Sequence, residues 1–291
     1  MKASYLNITP LDGVFGAVVR DIELRSLEET EWRAIHAAWI EYGLLIFSDQ
    51  FLTRHEQDDF AQRFGDLEFT AAPISNLTKD GDVISDANTD VIKSIRGNEG
   101  WHHDSTYMPI QARGAVFTAE VVPTKGAATG FADMRAAYES LDQSTRDLLA
   151  NKRAYHSLYY SQGRAGYLPT KNADGGYDLY GYHQYDTPLR PLVKVHPDTG
   201  RPNLNIGRHA HDVVGMDPDA STRLVDEINE QAVSNESRVY YHQWTVGDAI
   251  VWDNRRLMHC ATPFDITEPR RMWHTRIAGD PASEAALNHT N

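Results

Sequence analysis

The sequence predicts a mainly β protein with flanking helices, in which the strands form a closed or sandwiched antiparallel architecture. Three observations support this class. Short runs rich in β-branched and aromatic residues recur from residue 114 to residue 278, and clusters of Gly, Pro, Asn and Asp separate them. Few segments show helical periodicity. The 291 residues contain no linker-like stretch and no internal repeat, so we expect one domain over residues 1–291.

The first part of the chain combines short strands with a helix. Turn-forming Pro, Asp and Gly break the segment 5–24 into short strands. Between Ser26 and Gly43, apolar residues recur every three to four positions, which predicts an amphipathic helix that ends at Gly43. The apolar run 44–47 has the length of a buried strand.

A second helix is predicted just downstream. Thr53 and Glu56 have the three-residue spacing of a capping box, and the apolar face that follows them ends at Gly65. Residues 70–100 are polar and show no clear period, so we assign no element to them.

The second part of the chain is dominated by strands. Two helices interrupt them, one around 141–149 and one over 218–233. The predicted strands cover residues 114–122, 130–133, 154–160, 191–196, 238–243, 249–253 and 271–278.

The segment 155–185 is unusually rich in tyrosine and glycine. It holds 8 of the 14 tyrosines, among them Tyr159 and Tyr182, together with five glycines. Tyrosine offers rigid apolar area with a polar tip, and long loops in compact domains often cover functional sites. We therefore expect a mobile loop over a substrate; a tyrosine-rich surface insertion is the alternative.

Charge and hydropathy exclude several classes of partner. The 28 basic and 41 acidic side chains give a net charge of −13, which repels phosphate backbones and anionic lipid. No apolar stretch approaches the roughly 20 residues that span a bilayer, and the first residues lack the apolar core of a signal peptide. The single cysteine, Cys260, cannot form an intrachain disulfide. We expect a cytoplasmic protein that binds a small molecule, not nucleic acid or membranes; a homo-oligomer remains open.

A histidine and a carboxylate two residues apart suggest a metal site. If residues 101–104 form a strand, His102 and Asp104 point to one side and His103 to the other. His259 follows the run 251–255, which is apolar and ends in a polar turn. Two histidines and one carboxylate form the facial triad of non-haem Fe(II) oxygenases, but an HxD pair alone is weak support. The cluster His209, His211 and Asp212 is a rival ligand set.

Further motifs connect these residues to a known family. Arg270 lies eleven residues after His259, and Thr129 lies in a glycine-rich segment. With these motifs in order, the chain resembles the taurine dioxygenase/2,4-D dioxygenase (TauD/TfdA) family of Fe(II)/2-oxoglutarate-dependent dioxygenases, and within it the phenoxyalkanoate dioxygenases. The resemblance covers nearly the whole chain. It is carried by GLLIF at 43–47, RFG at 63–65, WHHDSTY at 101–107, RGAVF at 113–117, FADM at 131–134, RPLVKVHP at 190–197, GRHAH at 207–211, GD at 247–248 and WDNR at 252–255.

The resemblance implies a double-stranded β-helix, or jelly roll, and assigns roles to particular residues. It implies that His102, Asp104 and His259 bind Fe(II), and that Arg270, helped by Thr129, holds the distal carboxylate of 2-oxoglutarate. A guanidinium can grip a carboxylate with two parallel hydrogen bonds, which agrees with that role. Arg271 is the competing candidate, but strand alternation turns it away from the face of Arg270.

The chain departs from the family pattern at His274, where several members carry a second arginine for the anionic group of the substrate. Recognition of that group is therefore open among Arg276, His274, Lys93 and residues of the segment 155–185, such as Tyr159 and Tyr182.

The reaction that the resemblance implies couples O₂ and oxidative decarboxylation of 2-oxoglutarate, giving succinate and CO₂, to hydroxylation of a small carboxylate with an aromatic or apolar body. Hydroxylation next to an ether oxygen would cleave a phenoxyalkanoate-like substrate. A tailoring oxygenase of secondary metabolism with the same iron centre is an alternative. A zinc-dependent hydrolase with the same three ligands, and a non-catalytic jelly-roll binding protein, are the rivals from other classes.

Overall fold

The computed structural model describes residues 6–177, 179–182 and 186–289. Within these ranges the chain is rich in short strands, and its helices are concentrated at the sheet edges and faces. The strands are β1 (Asn7–Pro10), β2 (Ala17–Arg20), β3 (Leu44–Phe47), β4 (Leu67–Ser75), β5 (Gly114–Val121), β6 (Thr129–Asp133), β7 (Arg153–His156), β8 (Leu189–Pro191), β9 (Val193–Val195), β10 (Pro202–Leu204), β11 (Ala210–His211), β12 (Val239–His242), β13 (Ala249–Asp253), β14 (Leu257–Ala261) and β15 (Arg271–Ile277). The helices are α1 (Glu29–Tyr42), α2 (Arg54–Gln62), α3 (Asp90–Gly97), α4 (Met134–Glu139), α5 (Gln143–Leu149), α6 (Leu158–Ala165), α7 (Pro218–Val233) and α8 (Pro281–Glu284).

Four sheets organise the described residues. The main sheet has the strand order β1-β2-β3-β13-β5-β15-β4, and all its pairs are antiparallel except β2 with β3. A smaller sheet has the order β12-β6-β14. Two minor sheets, β11-β7-β8 and β10-β9, complete the set. The protein is therefore mostly β with helices, as the sequence predicts.

The main sheet is covered on both faces. Val116 and Val251 point to one face, where they pack with Trp39 of α1 and Phe60 of α2. The alternate positions point to the other face, where they pack against the smaller sheet. That second layer joins Phe117, Ile250 and Trp252 of the main sheet to Phe131 and Leu257 of the smaller one. Central strands buried on both faces explain why β3 and β13 appear in the sequence as continuous apolar runs.

Several predicted elements are confirmed. The strands 44–47 and 249–253 and the helix 218–233 have the predicted bounds. The first helix ends at Gly43, which has a left-handed φ of 75° and closes it by donating to the Trp39 carbonyl. Thr53 and Glu56 form the predicted capping box of α2.

Other predictions are wrong in part. The strand expected over 154–160 ends at His156, because Ser157 caps the new helix α6 by accepting from Tyr160 N. The strand expected over 191–196 is two short strands, β8 and β9, and α4 precedes the helix expected around 141–149. Residues 70–100, left unassigned, contain most of β4 and all of α3.

Two further expectations need correction. Residues 101–104 do not form a named strand and make a single antiparallel bridge, between His102 and His259. The segment 155–185 is not one long loop, since it starts in β7 and continues into α6. Tyr185, counted in that segment, lies outside the described residues.

None of the helices in the described ranges combines the length and hydrophobicity needed to cross a bilayer.

A buried arginine holds the loop that follows Asp104. Arg190, in β8, is 2% exposed and donates to the carbonyls of Thr106 at 2.7 Å, Met108 at 2.7 Å and Glu284 at 2.9 Å. Burial lowers the pKa of Arg190 to about 10, so the guanidinium stays charged at neutral pH. Its planar set of donors fits these three carbonyls, of which that of Glu284 also accepts from the Gln111 N–H at 3.0 Å.

We expect Arg190→Met to lower the free energy of unfolding by roughly 3 kcal/mol or more, because the carbonyls of Thr106, Met108 and Glu284 lose a charged donor. Arg201→Met is the matched control: Arg201 pairs with Glu139 at the surface, and its loss should cost about 1 kcal/mol or less. Urea denaturation of both variants measures the difference. Equal midpoints for the two variants would contradict this role of Arg190.

Candidate active site

Two histidines are fixed to each other through their backbones. The His102 N–H donates to the His259 carbonyl at 2.9 Å, and the His259 N–H donates back to the His102 carbonyl at 2.8 Å. Their ring centroids lie 4.3 Å apart. Asp104 follows two residues after His102, and the candidate ligand atoms of the three side chains all lie within 4.8 Å of one another. Among the described residues, no other group of His, Cys, Asp and Glu brings three ligand atoms this close.

Asp104 is held by a buried amide. The Asp104 N–H donates to Asn254 Oδ1 at 2.7 Å, and Asn254 Nδ2 donates to the carbonyls of Asp104 at 3.0 Å and Ala112 at 2.9 Å. Ser105 has a left-handed φ of 55°, which is costly for a residue with a side chain. His103 points the other way and donates from Nδ1 to the Asn254 carbonyl at 2.8 Å.

The protonation states suit metal binding. His102 Nδ1 donates to the Gly100 carbonyl at 2.7 Å, which leaves the Nε2 lone pair on the side of Asp104 Oδ1, 4.0 Å away. Burial lowers the pKa of His102 to about 4 and places that of His259 well below its usual value, so both rings are neutral. Burial alone would raise the pKa of Asp104, but the charge of Arg276 holds it well below its usual value.

One oxygen of Asp104 is available to a metal. Asp104 Oδ2 is buried and accepts no hydrogen bond from the described residues, although His274 Nε2 lies 3.4 Å away and His259 Nε2 3.8 Å away. A buried carboxylate oxygen without a donor is expensive unless a cation occupies the site. Two neutral imidazoles and one carboxylate therefore fit a divalent ion such as Fe(II) or Mn(II), with coordination positions left for other ligands.

A buried guanidinium lies in the same cavity. Arg270 is 4% exposed, and within the described part of the chain no carboxylate lies within ion-pair distance of it. Burial lowers its pKa to about 10, so it stays charged. Arg271 lies on the opposite face of the sheet and donates to Glu120 at 3.1 Å. Thr129 Oγ accepts from Trp244 Nε1 at 2.9 Å, which leaves the Thr129 hydroxyl hydrogen free to donate elsewhere.

The cavity combines this polar floor with an apolar wall. The wall includes Ile95 of α3, Leu158 of α6, Phe117 of β5, and Phe264. Such a cavity suits a small molecule with an apolar body and an anionic group.

The structure brings only some of the substrate-side candidates to the cavity. His274 and Arg276 of β15 line it. Lys93 does not, and its ammonium lies 3.8 Å from Asp90 on the same helix. Tyr159 and Tyr182 also lie outside the cavity lining, where they contact each other with ring centroids 5.0 Å apart.

The rival cluster does not form a ligand set. His209 lines the cavity, and its Nδ1 is 2.8 Å from Ser161 Oγ. His211 turns away, stacks on Tyr160 at 4.5 Å and pairs with Asp212 at 2.9 Å. The two imidazoles therefore contact different residues and do not converge on one point.

Sequence analysis did not select Arg208 as a candidate. Its N–H donates to the Trp101 carbonyl at 2.9 Å, next to His102, and its guanidinium donates to Gln162 at 2.6 Å. Burial lowers its pKa to about 10, and it forms no ion pair with a carboxylate of the described residues. The GRHAH motif at 207–211 contains Arg208, but only the structure reveals that it is partly buried without a counter-charge from the described residues.

The chain matches a known protein family. Residues 7–277 match the family described as "Taurine catabolism dioxygenase TauD, TfdA family". The chain is 54% identical to the "(S)-phenoxypropionate/alpha-ketoglutarate-dioxygenase" of Sphingobium herbicidovorans, over 97% of this chain and 98% of the relative. It is 48% identical to the protein of the same name from Delftia acidovorans, again over 97% and 98%.

A solved structure is also similar. "Crystal structure of AAD-2 in complex with Mn(II) and N-oxalylglycine" matches with a TM-score of 0.88 and 32% identity, over 98% of this chain and 100% of the other. The fold and the site thus define an alpha-ketoglutarate-dependent dioxygenase. The chain belongs to the taurine catabolism dioxygenase TauD, TfdA family. This membership does not support the zinc hydrolase and the non-catalytic binding protein.

We expect Asp104→Ala to reduce 2-oxoglutarate-dependent succinate formation to background, because it removes the only carboxylate of the candidate ligand set. His103→Ala should keep measurable turnover and lose about 1–3 kcal/mol of stability, since it leaves the Asn254 carbonyl without its donor. Succinate release and thermal unfolding of both variants provide the measurements. Loss of turnover in H103A together with an active D104A would show that residue 103, and not Asp104, is the ligand.

We expect Arg270→Lys to raise the KM for 2-oxoglutarate about 10- to 100-fold, because one ammonium cannot replace a two-pronged guanidinium. Arg271→Lys, on the outer face beside Glu120, should leave that KM unchanged. Steady-state kinetics with varied 2-oxoglutarate measure both. Equal effects at the two positions would refute the assignment of Arg270.

Proposed function

We propose that this protein uses Fe(II), 2-oxoglutarate and O₂ to hydroxylate a phenoxyalkanoate-like carboxylate at the carbon that bears the ether oxygen. One oxygen atom of O₂ enters succinate as 2-oxoglutarate loses CO₂, and the other forms the new C–O bond. The hydroxylated carbon then carries both a hydroxyl and an aryl ether. Such a hemiacetal or hemiketal collapses to a phenol and a 2-oxo acid, or to glyoxylate for a phenoxyacetate.

The observation that carries this proposal is the combination of a buried triad with an arginine that lacks a counter-charge. His102, Asp104 and His259 converge on one point, and Arg270 lines the same cavity without a carboxylate partner among the described residues. A dicarboxylate cosubstrate would supply the missing charge. A zinc hydrolase would have no use for Arg270.

Each residue would have a defined part in the reaction. The two histidines and Asp104 would hold the iron, which when bound supplies the chemistry that activates O₂. Arg270 would grip the distal carboxylate of 2-oxoglutarate, and the Thr129 hydroxyl, oriented by Trp244, would donate to it. Fixing the cosubstrate by its far end would present its 2-oxo acid group to the metal in one orientation.

We also propose that two of the sheets together form a jelly roll. The main sheet and the β12-β6-β14 sheet would be the two halves of a double-stranded β-helix, within one domain spanning residues 1–291. The family match over residues 7–277 and the similarity to the solved dioxygenase structure support both points.

The carboxylate of the substrate would bind at Arg208. Three candidates have partners or a charge state that argue against them: Arg276 donates to Asp104, burial lowers the pKa of His274, and Lys93 lies beside Asp90 on the same helix. Arg208 does not line the cavity itself, but it is partly buried next to His209, which does, and the described residues offer it no carboxylate. A partly buried cation without a counter-charge gains from binding an anionic ligand.

The names of the similar proteins support the aromatic body of the substrate. Two relatives with 54% and 48% identity are named for (S)-phenoxypropionate. The wall formed by Ile95, Leu158 and Phe264 offers the apolar surface that a phenoxy ring needs. We therefore expect this chain to prefer the (S)-enantiomer of 2-phenoxypropionate.

An anaerobic titration followed by a substrate panel tests the proposal. Fe(II) and 2-oxoglutarate added under argon should produce a weak visible charge-transfer band. The panel then compares (S)- and (R)-2-phenoxypropionate, phenoxyacetate, an alkyl sulfate and taurine, read as succinate and phenol released. Stoichiometric phenol and succinate with the (S)-enantiomer would support the proposal. The band with no turnover of any phenoxy acid would instead favour a tailoring oxygenase, and no band would refute the iron centre.

We expect Arg208→Gln to raise the KM for (S)-2-phenoxypropionate about 10- to 100-fold, because a charge-assisted hydrogen bond of about 1.5–3 kcal/mol is lost. The KM for 2-oxoglutarate should stay unchanged. Arg164→Gln is the matched control, since Arg164 is on the outside of α6 and pairs with Asp226. Wild-type kinetics in R208Q would contradict this role of Arg208 and show that another residue binds the carboxylate of the substrate.

A further inference from the structure

A hydrogen-bonded chain lies directly behind the candidate metal ligand. Arg276 Nη2 donates to Asp104 Oδ1 at 2.7 Å, and Arg276 Nη1 donates to Ser105 Oγ at 3.0 Å. The Ser105 hydroxyl in turn donates to both oxygens of Glu68, at 2.9 and 3.0 Å. Tyr180 also donates to Glu68. The chain thus runs from the metal ligand to β4 and to the tyrosine-rich segment.

The positive charge of Arg276 is already balanced by carboxylates of the protein. Asp104 and Glu68 lie on either side of it, so two carboxylates face one guanidinium. The rings of Phe69 and Tyr180 cover the cation, with centroids 4.8 and 5.4 Å from its central carbon. A third carboxylate here would meet the repulsion of Glu68. Arg276 is therefore unlike the buried Arg270 and the partly buried Arg208, which have no such partners among the described residues.

The two oxygens of Asp104 have different environments. Oδ1 accepts the charged hydrogen bond from Arg276, whereas Oδ2 accepts none from the described residues and faces the two histidine rings His259 and His274. A carboxylate bound at one oxygen cannot rotate freely about its terminal bond. The side chain is thereby held in one orientation for a cation.

We propose that Arg276 is the positioning residue of the metal centre: it fixes the orientation of Asp104 and takes no part in binding the substrate anion. This inference rests on the proposed metal site. Glu68, acting through Ser105, fixes the direction of the Arg276 fork. Outer partners of metal ligands typically contribute 10- to 100-fold to metal affinity.

Metal affinity tests the proposal without turnover. Co(II) alone is titrated into the wild type and into Arg276→Gln, Arg276→Lys and Glu68→Gln, and its dissociation constant is measured by calorimetry. We expect R276Q to bind Co(II) about 10- to 100-fold more weakly, and R276K and E68Q to show smaller losses in the same direction. Arg208→Gln is the matched control and should bind Co(II) like the wild type. Thermal unfolding without added metal verifies that each variant is folded.

The kinetic readout separates positioning from substrate binding. In R276K, saturating Fe(II) should restore the KM for the carboxylate substrate to near the wild-type value, whereas R208Q should keep a raised KM at any Fe(II) concentration. Wild-type Co(II) affinity in both R276K and R276Q, or in R276K and E68Q if R276Q does not fold, would overturn the proposal. A raised substrate KM in R276K at saturating Fe(II) would do the same. If the wild type binds Co(II) but turns over no phenoxy acid, only the proposed function fails.

Discussion

A single buried amide connects the two parts of the chain that supply the candidate metal ligands. Asn254, at the turn between β13 and β14, binds the backbone of Asp104 in both directions and also holds the Ala112 carbonyl. The backbone carbonyl of Asn254 also accepts a hydrogen bond from Nδ1 of the His103 ring. Since Ser105 has a backbone conformation that side chains disfavour, the loop depends on these bonds and on Arg190 for its shape. Without Asn254, only the His102–His259 backbone bonds and the Arg276 side chain would relate Asp104 to His259.

Much of the fold could be predicted from local sequence, and the reasons are physical. Central strands such as 44–47 are covered on both faces and so are continuously apolar, and the helix 218–233 has a complete apolar stripe. The edge strand β4 was missed because it is only half-buried along its length and has no clear alternation. The end of β7 was missed because Ser157, a cap, has no apolar signature.

The sequence could bring the candidate ligands and Arg270 together, but it could not assign roles to Arg208 and Arg276. His102 and Asp104 have a spacing that limits their chemistry, and motif order related them to His259. Arg208 and Arg276 have the same side chain, and nothing local in the sequence separates them. Their difference lies in partners that are distant in sequence: Arg276 donates to Asp104 from 172 positions away, whereas Arg208 donates to an amide of α6. Counter-charge, which depends on tertiary contacts, determines what each can bind.

The reciprocal backbone bonds between His102 and His259 have a thermodynamic consequence. Because ordinary sheet hydrogen bonds fix the spacing of the two imidazoles, ion binding does not have to be coupled to folding at these ligands, in contrast to small zinc domains. The ion can leave and return while the scaffold stays folded. Such a rigid but chemically ordinary pair also distinguishes poorly among divalent ions, whose affinities follow the Irving–Williams order. The identity of a metal bound there would then be set by cellular supply and by the carboxylate of Asp104.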